Sequence, residues 1–127
     1  MREFILDASV ALQWFLEDES GREYGLAVLK TLSGNRAVVP ALWFYEVGNG
    51  LVMAHRRKRI TPEQMDDFVS RLLQLPIEVA EQTPTELLKL PVVARAHGLT
   101  NYDAAYLTLS LQLKLPLPRQ MEICGEP

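Results

Sequence analysis

Three acidic residues in this chain lie beside or within apolar stretches, where burying a charge is unfavourable. Asp7 directly follows the apolar run 4–6, and Glu46 interrupts the apolar run 41–47. Asp103 precedes a third run of small and apolar residues, 104–107. Carboxylates that are brought together repel one another, and they stay ionised near neutral pH only when a cation neutralises them. The three acids together therefore indicate a cation site.

The chemistry of such a site follows from its ligand atoms. Oxygen ligands without Cys or His favour a hard ion such as Mg²⁺ or Mn²⁺. A bound ion of this kind polarises a phosphodiester and lowers the pKa of a bound water, which is the chemistry of metal-assisted hydrolysis. The acids Asp7, Glu46 and Asp103 therefore predict a metal-dependent phosphoryl hydrolase.

Each acid also has a purely structural explanation. Asp7 is well suited to cap the start of a helix, and this is the favoured interpretation of Asp7 taken alone. Glu46 is unremarkable on a helix surface, although Asn49 and Gly50 share its helical face. Thr100 and Asp103 have the spacing of a capping box. Only the three acids together favour the catalytic interpretation.

The elements that position these acids are predicted from periodicity and from helix start signals. Strands are predicted at 4–6 and 37–39, with weaker candidates at 77–79 and 115–117, the last doubtful because it contains proline. Helices are predicted from Asp7 or Ala8 to Phe15 and over 24–32, 41–57 and 101–113. Two more helices are predicted after the start signals Thr61-Pro62 and Thr83-Pro84. The second of these has a possible break at Pro91 and a cap at Gly98. Strands joined by helical crossovers predict a three-layer α/β/α sandwich with a short, mostly parallel central sheet. In such sheets, functional groups collect beyond the carboxyl ends of the strands.

Composition limits the class of protein. The 127 residues, 48% apolar and 23% charged, predict a single globular domain over residues 1–127. No run approaches the roughly 20 apolar residues of a membrane span, and the start lacks a secretory pattern, so we expect a cytoplasmic protein. Cys124 is the single cysteine, which rules out an internal disulfide and a zinc cluster.

The formal net charge of −3 gives no overall attraction to nucleic acid, but one segment is basic. The basic segment is His55-Arg56-Arg57-Lys58-Arg59, and a polyanion such as RNA would meet the protein at Arg56, Arg57, Lys58 and Arg59. A solvated helix end, with cations complementing the helix dipole, explains the same residues equally well.

The aromatic residues at helical spacing have two interpretations. They can stack on nucleic-acid bases, or they can fill a core or a dimer interface, and we favour an interface. The residues concerned are Trp14, Trp43, Phe44 and Tyr45.

Three stretches in this order resemble the PIN-domain family, and within it the VapC-type toxins of toxin–antitoxin pairs. They are "FILDAS", "VVPALWFYEVGNGL" and "LTNYDAAYLTLS", and the resemblance spans residues 2 to about 117. It implies a ribonuclease that uses Mg²⁺ or Mn²⁺, with Asp7, Glu46 and Asp103 as ligands. It also implies supporting roles for Ser9 and Asn49, a homodimer, and a small antitoxin whose tail enters the cleft. We expect Thr100 to support the site as well, since it precedes Asp103 at the helix start.

The sequence departs from the family at its C-terminal end. The family usually carries a further Asp after the last short strand, whereas Met121 stands there in this chain and Glu122 is the nearest substitute. We therefore expect residues 118–127 to be atypical or truncated. This departure keeps a second hypothesis open, namely a PIN domain that binds RNA or a protein partner without cleaving. A phosphatase with Asp7 as nucleophile is a weaker alternative, because Ser9 stands where such enzymes carry a second Asp.

Overall fold

The computed structural model describes residues 2–16 and 21–118, and its elements alternate between strands and helices. In chain order they are β1 (Arg2–Ile5), α1 (Ala8–Leu12), α2 (Arg22–Thr31), β2 (Asn35–Val39), α3 (Leu42–Arg56), α4 (Pro62–Leu72), β3 (Ile77–Val79), α5 (Pro84–Leu88), α6 (Leu90–His97) and α7 (Asn101–Leu113). Met121, Glu122 and Cys124 lie outside the described residues, so the expectations for them stay predictions. No helix in the described ranges is long and apolar enough to cross a membrane.

The three strands form a parallel sheet in the order β1-β2-β3. Phe4 pairs with Ala37, and Ala37 pairs with Ile77 on the other side. Ile5, Ala37 and Val39 are fully buried, because helices cover the sheet and a short parallel strand must be apolar on both faces. The predicted α/β class with a short parallel sheet flanked by helices is confirmed.

The helices hold the carboxyl end of the sheet in place. α1 packs against α2 and α3, and α7 packs against β1 and α6. The indole N–H of Trp14 donates a buried hydrogen bond of 2.7 Å to the carbonyl of Gly25, which ties the chain after α1 to α2. The residues of α1, α3 and α7 that face the sheet edge are therefore fixed relative to one another.

Most predicted helix boundaries agree with the structure. Thr61 and Thr83 both form complete capping boxes ahead of a proline, and Gly98 ends α6 in the left-handed conformation with φ 64°. The segment after Thr83 is divided into α5 and α6 at Lys89. Pro91 accounts for the break, since it has no N–H to continue a helical hydrogen-bond ladder and stands in the first turn of α6.

The predicted strand at 115–117 is not a strand in the structure. Lys114 ends α7 with φ 57°, and the chain then runs beside β1, where the N–H of Ile5 donates to the carbonyl of Pro116 at 2.8 Å. Pro116 and Pro118 have no N–H to donate, so this segment cannot form a ladder with β1.

Candidate active site

A cleft of about 620 Å³ opens at the carboxyl end of the sheet, between α1, α3 and α7. Its lining includes the predicted site residues Asp7, Ser9, Glu46, Asn49 and Asp103. Asp7 follows β1, Glu46 lies in α3 after β2, and Asp103 lies in the first turn of α7. The structure therefore brings these predicted residues together at one edge of the sheet.

Asp7 is held by the start of α1. It is the N-cap residue of this helix, and its Oδ1 accepts a hydrogen bond of 3.1 Å from the backbone N–H of Ser9. The structural explanation for Asp7 is thus correct, and its place in the cleft shows that capping and a functional role are compatible. Ser9 lines the cleft beside it and is exposed.

Asp103 is positioned by Thr100, the N-cap residue of α7. The Thr100 hydroxyl accepts a hydrogen bond of 3.0 Å from the backbone N–H of Asp103. Ala104 and Ala105 follow and are buried, since their small side chains let the first turn of α7 approach the rest of the protein closely. Thr100 is not part of the cleft lining, but it fixes the turn that carries Asp103 into it.

Glu46 is a carboxylate of the cleft whose pKa is raised by its surroundings. Burial raises its pKa above the ordinary value of 4.5, and repulsion from Asp7 and Asp103 raises it further. A hydrogen bond of 2.6 Å from the Tyr106 hydroxyl to Glu46 Oε1 opposes this rise and lowers the pKa. Glu46 is thus a partly buried carboxylate whose charge is disfavoured by its surroundings and stabilised by one strong donor.

Tyr106 is a site residue that the sequence reasoning missed. Its side chain is 1% exposed, and burial, followed by its bond to Glu46, raises its pKa above the ordinary value. It therefore stays protonated at neutral pH and acts as a donor that orients Glu46. The available signal was its position one helical turn after Asp103, which places both side chains on one face of α7.

The donor chemistry of the cleft fits a hard divalent cation. The acidic side chains of the cleft present oxygen atoms, and a cation among them would offset the cost of burial and the repulsion that raise the pKa of Glu46. Within residues 2–16 and 21–118, no group of three or more His, Cys, Asp or Glu side chains is gathered closely enough to hold an ion. Coordination by Asp7, Glu46 and Asp103 therefore stays a prediction.

The basic segment lies away from the cleft. Arg56 ends α3, ten residues after Glu46, which separates them by about 15 Å along the helix axis. The N–H groups of Lys58 and Arg59 bond to the carbonyls of His55 and Ala54, and Lys58 has φ 60°. This is a Schellman cap with lysine where glycine is usual, so the segment does terminate a helix with cations at its C-terminal end.

The aromatic residues divide between core and surface. Trp14 and Trp43 are 5% and 1% exposed and belong to the core, so the predicted interface role is wrong for these two. Both side chains pack in the main hydrophobic core, between the sheet and the helices that cover it. Phe44 and Tyr45 are 45% and 78% exposed.

The fold and the cleft define a class of small α/β proteins that carry acidic residues at the carboxyl edge of a parallel sheet. The PIN-domain family pattern matches residues 4–117, and the chain belongs to this family. PIN domains are generally nucleases and usually use divalent metal ions.

Two solved structures are similar to this chain. PAE2754 from Pyrobaculum aerophilum is 25% identical with a TM-score of 0.65, and the match covers 94% of this chain and 80% of that one. A chain of VapBC2 from Rickettsia felis, bound to a DNA fragment from their promoter, is 14% identical with a TM-score of 0.58, covering 92% and 86%. The second likeness shows the fold alone. No curated protein matches the chain.

Proposed function

We propose that this protein is a divalent-metal-dependent endoribonuclease and the toxin component of a toxin–antitoxin pair acting in the cytoplasm. The observation that carries the proposal is the meeting of Asp7, Glu46 and Asp103 in one cleft of a PIN domain. The raised pKa of Glu46 supports it, because burial and its acidic neighbours disfavour the charge unless a cation is present.

The residues of the cleft have separate tasks in this proposal. Asp7, Glu46 and Asp103 would hold Mg²⁺ or Mn²⁺, which when bound supplies polarisation of the phosphodiester and a more acidic water. Glu46 is oriented by the hydroxyl of Tyr106. Ser9 and Asn49 present polar groups to the substrate from α1 and α3, and Thr100 holds the turn of Asp103.

The test is RNA cleavage by the purified chain with Mg²⁺, with Mn²⁺ and with excess EDTA. Cleavage should require the metal, and Asp103→Asn should lower it at least about 100-fold, since losing even the outer partners of metal ligands costs about 10- to 100-fold. Asp67→Asn is the matched control, because Asp67 is an exposed helical acid paired with Arg71 outside the cleft. Cleavage in EDTA, or an active Asp103→Asn protein, would refute the proposal.

The antitoxin partner is supported by the likeness of the fold to a chain of the VapBC2 complex. An acidic cleft suits a partner tail that carries a cation such as arginine. The test is co-expression with the protein encoded by a neighbouring short reading frame, followed by co-purification and an assay of cleavage. A partner that binds without reducing RNA cleavage would contradict this part of the proposal.

A homodimer is supported by exposed apolar residues on neighbouring faces of α3 and α4. Phe44, Val69 and Leu73 are 45%, 43% and 80% exposed, and they line a cavity of about 160 Å³. Sedimentation equilibrium should give a dimer that Leu73→Glu converts to a monomer with the fold retained. A monomeric wild-type protein at micromolar concentration would contradict it.

The alternative is a PIN domain that binds RNA or a protein partner without cleaving. The observation in its favour is Met121, which stands where the family usually carries a further Asp. Titration calorimetry separates the two functions, because failure to bind Mn²⁺ at millimolar concentration favours the alternative.

A further inference from the structure

A second cavity of about 350 Å³ adjoins the acidic cleft, and we call it the side pocket. The two spaces share Leu42, Tyr45 and Tyr102, which form the rim between them. A ligand that lies across this rim can place one part against the acids and another part in the side pocket.

The side pocket lies along the same carboxyl edge of the sheet as the acids. Pro40 and Ala41 follow β2, and Ala80 follows β3. The backbone N–H of Ala80 donates to the carbonyl of Val39 at 2.8 Å, so this part of the wall is held by the sheet itself. Leu90 and Ala105, buried between α6 and α7, close the opposite side. The pocket is therefore built from rigid elements and is already formed.

The chemistry of the side pocket is apolar and aromatic with amides at its margin. Among the residues that the structure describes, none that lines the side pocket carries a charge. Its polar side chains are the amides of Gln82 and Asn101 and the two tyrosine hydroxyls, groups that donate and accept hydrogen bonds. Tyr45 and Tyr102 are 78% and 59% exposed, so their ring faces are available to a ligand. A flat, neutral, hydrogen-bonding ring fits this combination.

We propose that the side pocket binds a nucleobase of single-stranded RNA, next to the phosphate that lies in the acidic cleft. Unpaired bases are recognised by stacking on aromatic side chains and by hydrogen bonds to their edges. Tyr45 and Tyr102 supply the stacking surface, and Gln82 and Asn101 supply the edge contacts. This inference rests on the proposed ribonuclease function and names its substrate class, an unpaired strand. It assigns Tyr45 to RNA and not to an interface between protein chains.

The test compares two probes that share phosphates but differ in bases. Binding of a short single-stranded oligoribonucleotide of mixed sequence, and of an abasic oligomer of equal length and charge, is measured by fluorescence anisotropy with Mg²⁺ present. The Asp103→Asn background keeps the RNA intact. Adding Tyr45→Ala or Tyr102→Ala should weaken RNA binding about 5- to 150-fold, the range for loss of one base stack. Binding of the abasic oligomer should not change.

Tyr45→Phe and Tyr102→Phe keep the ring and should retain most of the RNA affinity. Leu88→Ala is the matched surface control, since Leu88 is 78% exposed on α5 and does not line the pocket. Thermal unfolding confirms that each variant is folded. Equal loss for both probes, or no loss for either, would overturn the inference. Unchanged RNA binding with weakened binding of the antitoxin would instead assign the pocket to a peptide side chain.

These measurements distinguish a failure of the ribonuclease proposal from a failure of the side-pocket proposal. If RNA is bound with the expected dependence on both tyrosines but is never cleaved, the ribonuclease function is wrong and the side pocket stands. If cleavage requires metal and Asp103 but the tyrosine variants bind RNA normally, the side pocket is wrong and the ribonuclease function stands.

Discussion

Glu46 and Tyr106 form the pair on which the electrostatics of the cleft depend. Burial and the acids Asp7 and Asp103 raise the pKa of Glu46, while the hydrogen bond from Tyr106 lowers it. The protonated form of Glu46 therefore persists to higher pH than in an exposed glutamate. Since metal binding needs the carboxylate form, metal affinity should fall as the pH is lowered through this raised pKa.

Tyr106→Phe should shift that pH dependence to higher pH. The substitution removes the donor that stabilises the ionised form of Glu46, so the pKa of Glu46 should rise further. Hydrogen bonds to charged groups contribute about 1.5–3 kcal/mol, which is roughly one to two pH units. The measurement is Mn²⁺ affinity against pH by calorimetry.

The control for Tyr106→Phe is Tyr24→Phe, because Tyr24 lies in α2 outside the acidic cleft. Its pH profile should match that of the wild-type protein. A profile of Tyr106→Phe that does not move, or that moves to lower pH, would show that Tyr106 has only a packing role.

The sequence was sufficient to predict that the three acids meet at the carboxyl edge of the sheet, but not that Tyr106 reaches Glu46 there. Asp7, Glu46 and Asp103 were predictable because each places a charge beside an apolar run at the end of a buried element. Tyr106 was not predictable in the same way, since a tyrosine among alanines and leucines on a buried helix normally indicates core packing. Only the position of α7 against α3 shows that its hydroxyl reaches Glu46.

At the scale of elements, helix caps set the positions of functional residues. Thr61, Thr83 and Thr100 each cap a helix with the same hydroxyl-to-backbone hydrogen bond. Of these three helices, only the one that Thr100 caps carries a residue of the acidic cleft in its first turn. One type of interaction therefore caps a helix away from the acidic cleft at two positions and caps the turn that carries Asp103 at the third.

Thr100→Ala and Thr83→Ala should separate these roles. Each removes an N-cap and should lower the free energy of unfolding by about 1 kcal/mol. Thr100→Ala should also lower metal affinity and RNA cleavage, because the turn that carries Asp103 loses its anchor, whereas Thr83→Ala should leave both unchanged. Urea denaturation and metal titration provide the measurements. Thr100→Ser should restore both properties, and equal activities in the two alanine variants would contradict a positioning role for Thr100.

Substitution by alanine should have opposite effects on stability at two glycines of α3. A Cβ atom at Gly48 would meet no other atom within 4 Å, whereas at Gly50 it would lie 2.6 Å from both Leu12 methyl groups. Gly48→Ala should therefore stabilise the protein by up to about 1 kcal/mol through helix propensity. Gly50→Ala should destabilise it by up to about 2 kcal/mol, because overpacking costs about 1–3 kcal/mol and propensity offsets part of it.

Denaturant unfolding of the variants tests this contrast between the glycines. Adding Leu12→Ala to Gly50→Ala should give a double variant that is more stable than the two single effects would predict, since the clash is then removed. Equal stabilisation by both glycine substitutions would show that α1 and α3 are not in close contact at Leu12.

The element that the sequence predicted wrongly is the strand at 115–117, which contains proline. The break between α5 and α6 was predicted at Pro91, whereas the outcome at 115–117 depends on where a missing N–H falls in a hydrogen-bond ladder. Periodicity detects the apolar residues of such segments but does not show whether a neighbouring strand needs the absent donor. The helices that start at Thr61 and Thr83 were predicted correctly because their capping signals are local.

At the scale of the whole molecule, charge is separated along α3. Glu46 near its start lies in the acidic cleft, and Arg56 and Arg57 at its end are exposed and basic. With a formal net charge of −3, the protein as a whole repels RNA weakly. A strand that enters the cleft would therefore gain attraction mainly if it extends as far as the basic segment.

This separation predicts that the basic segment affects long RNA and not short RNA. The double variant Arg56→Gln/Arg57→Gln should weaken binding of a long single strand and lower the slope of log affinity against log salt by up to about 1.4, at about 0.7 for each phosphate contact. A strand too short to span the separation of about 15 Å should bind the variant normally.

The control is Lys30→Gln/Arg95→Gln, which changes the net charge equally at exposed positions on α2 and α6. If both double variants lower the slope equally, the net charge of the protein explains the salt dependence, and the basic segment only caps α3. A lower slope for Arg56→Gln/Arg57→Gln alone would place RNA on the basic segment.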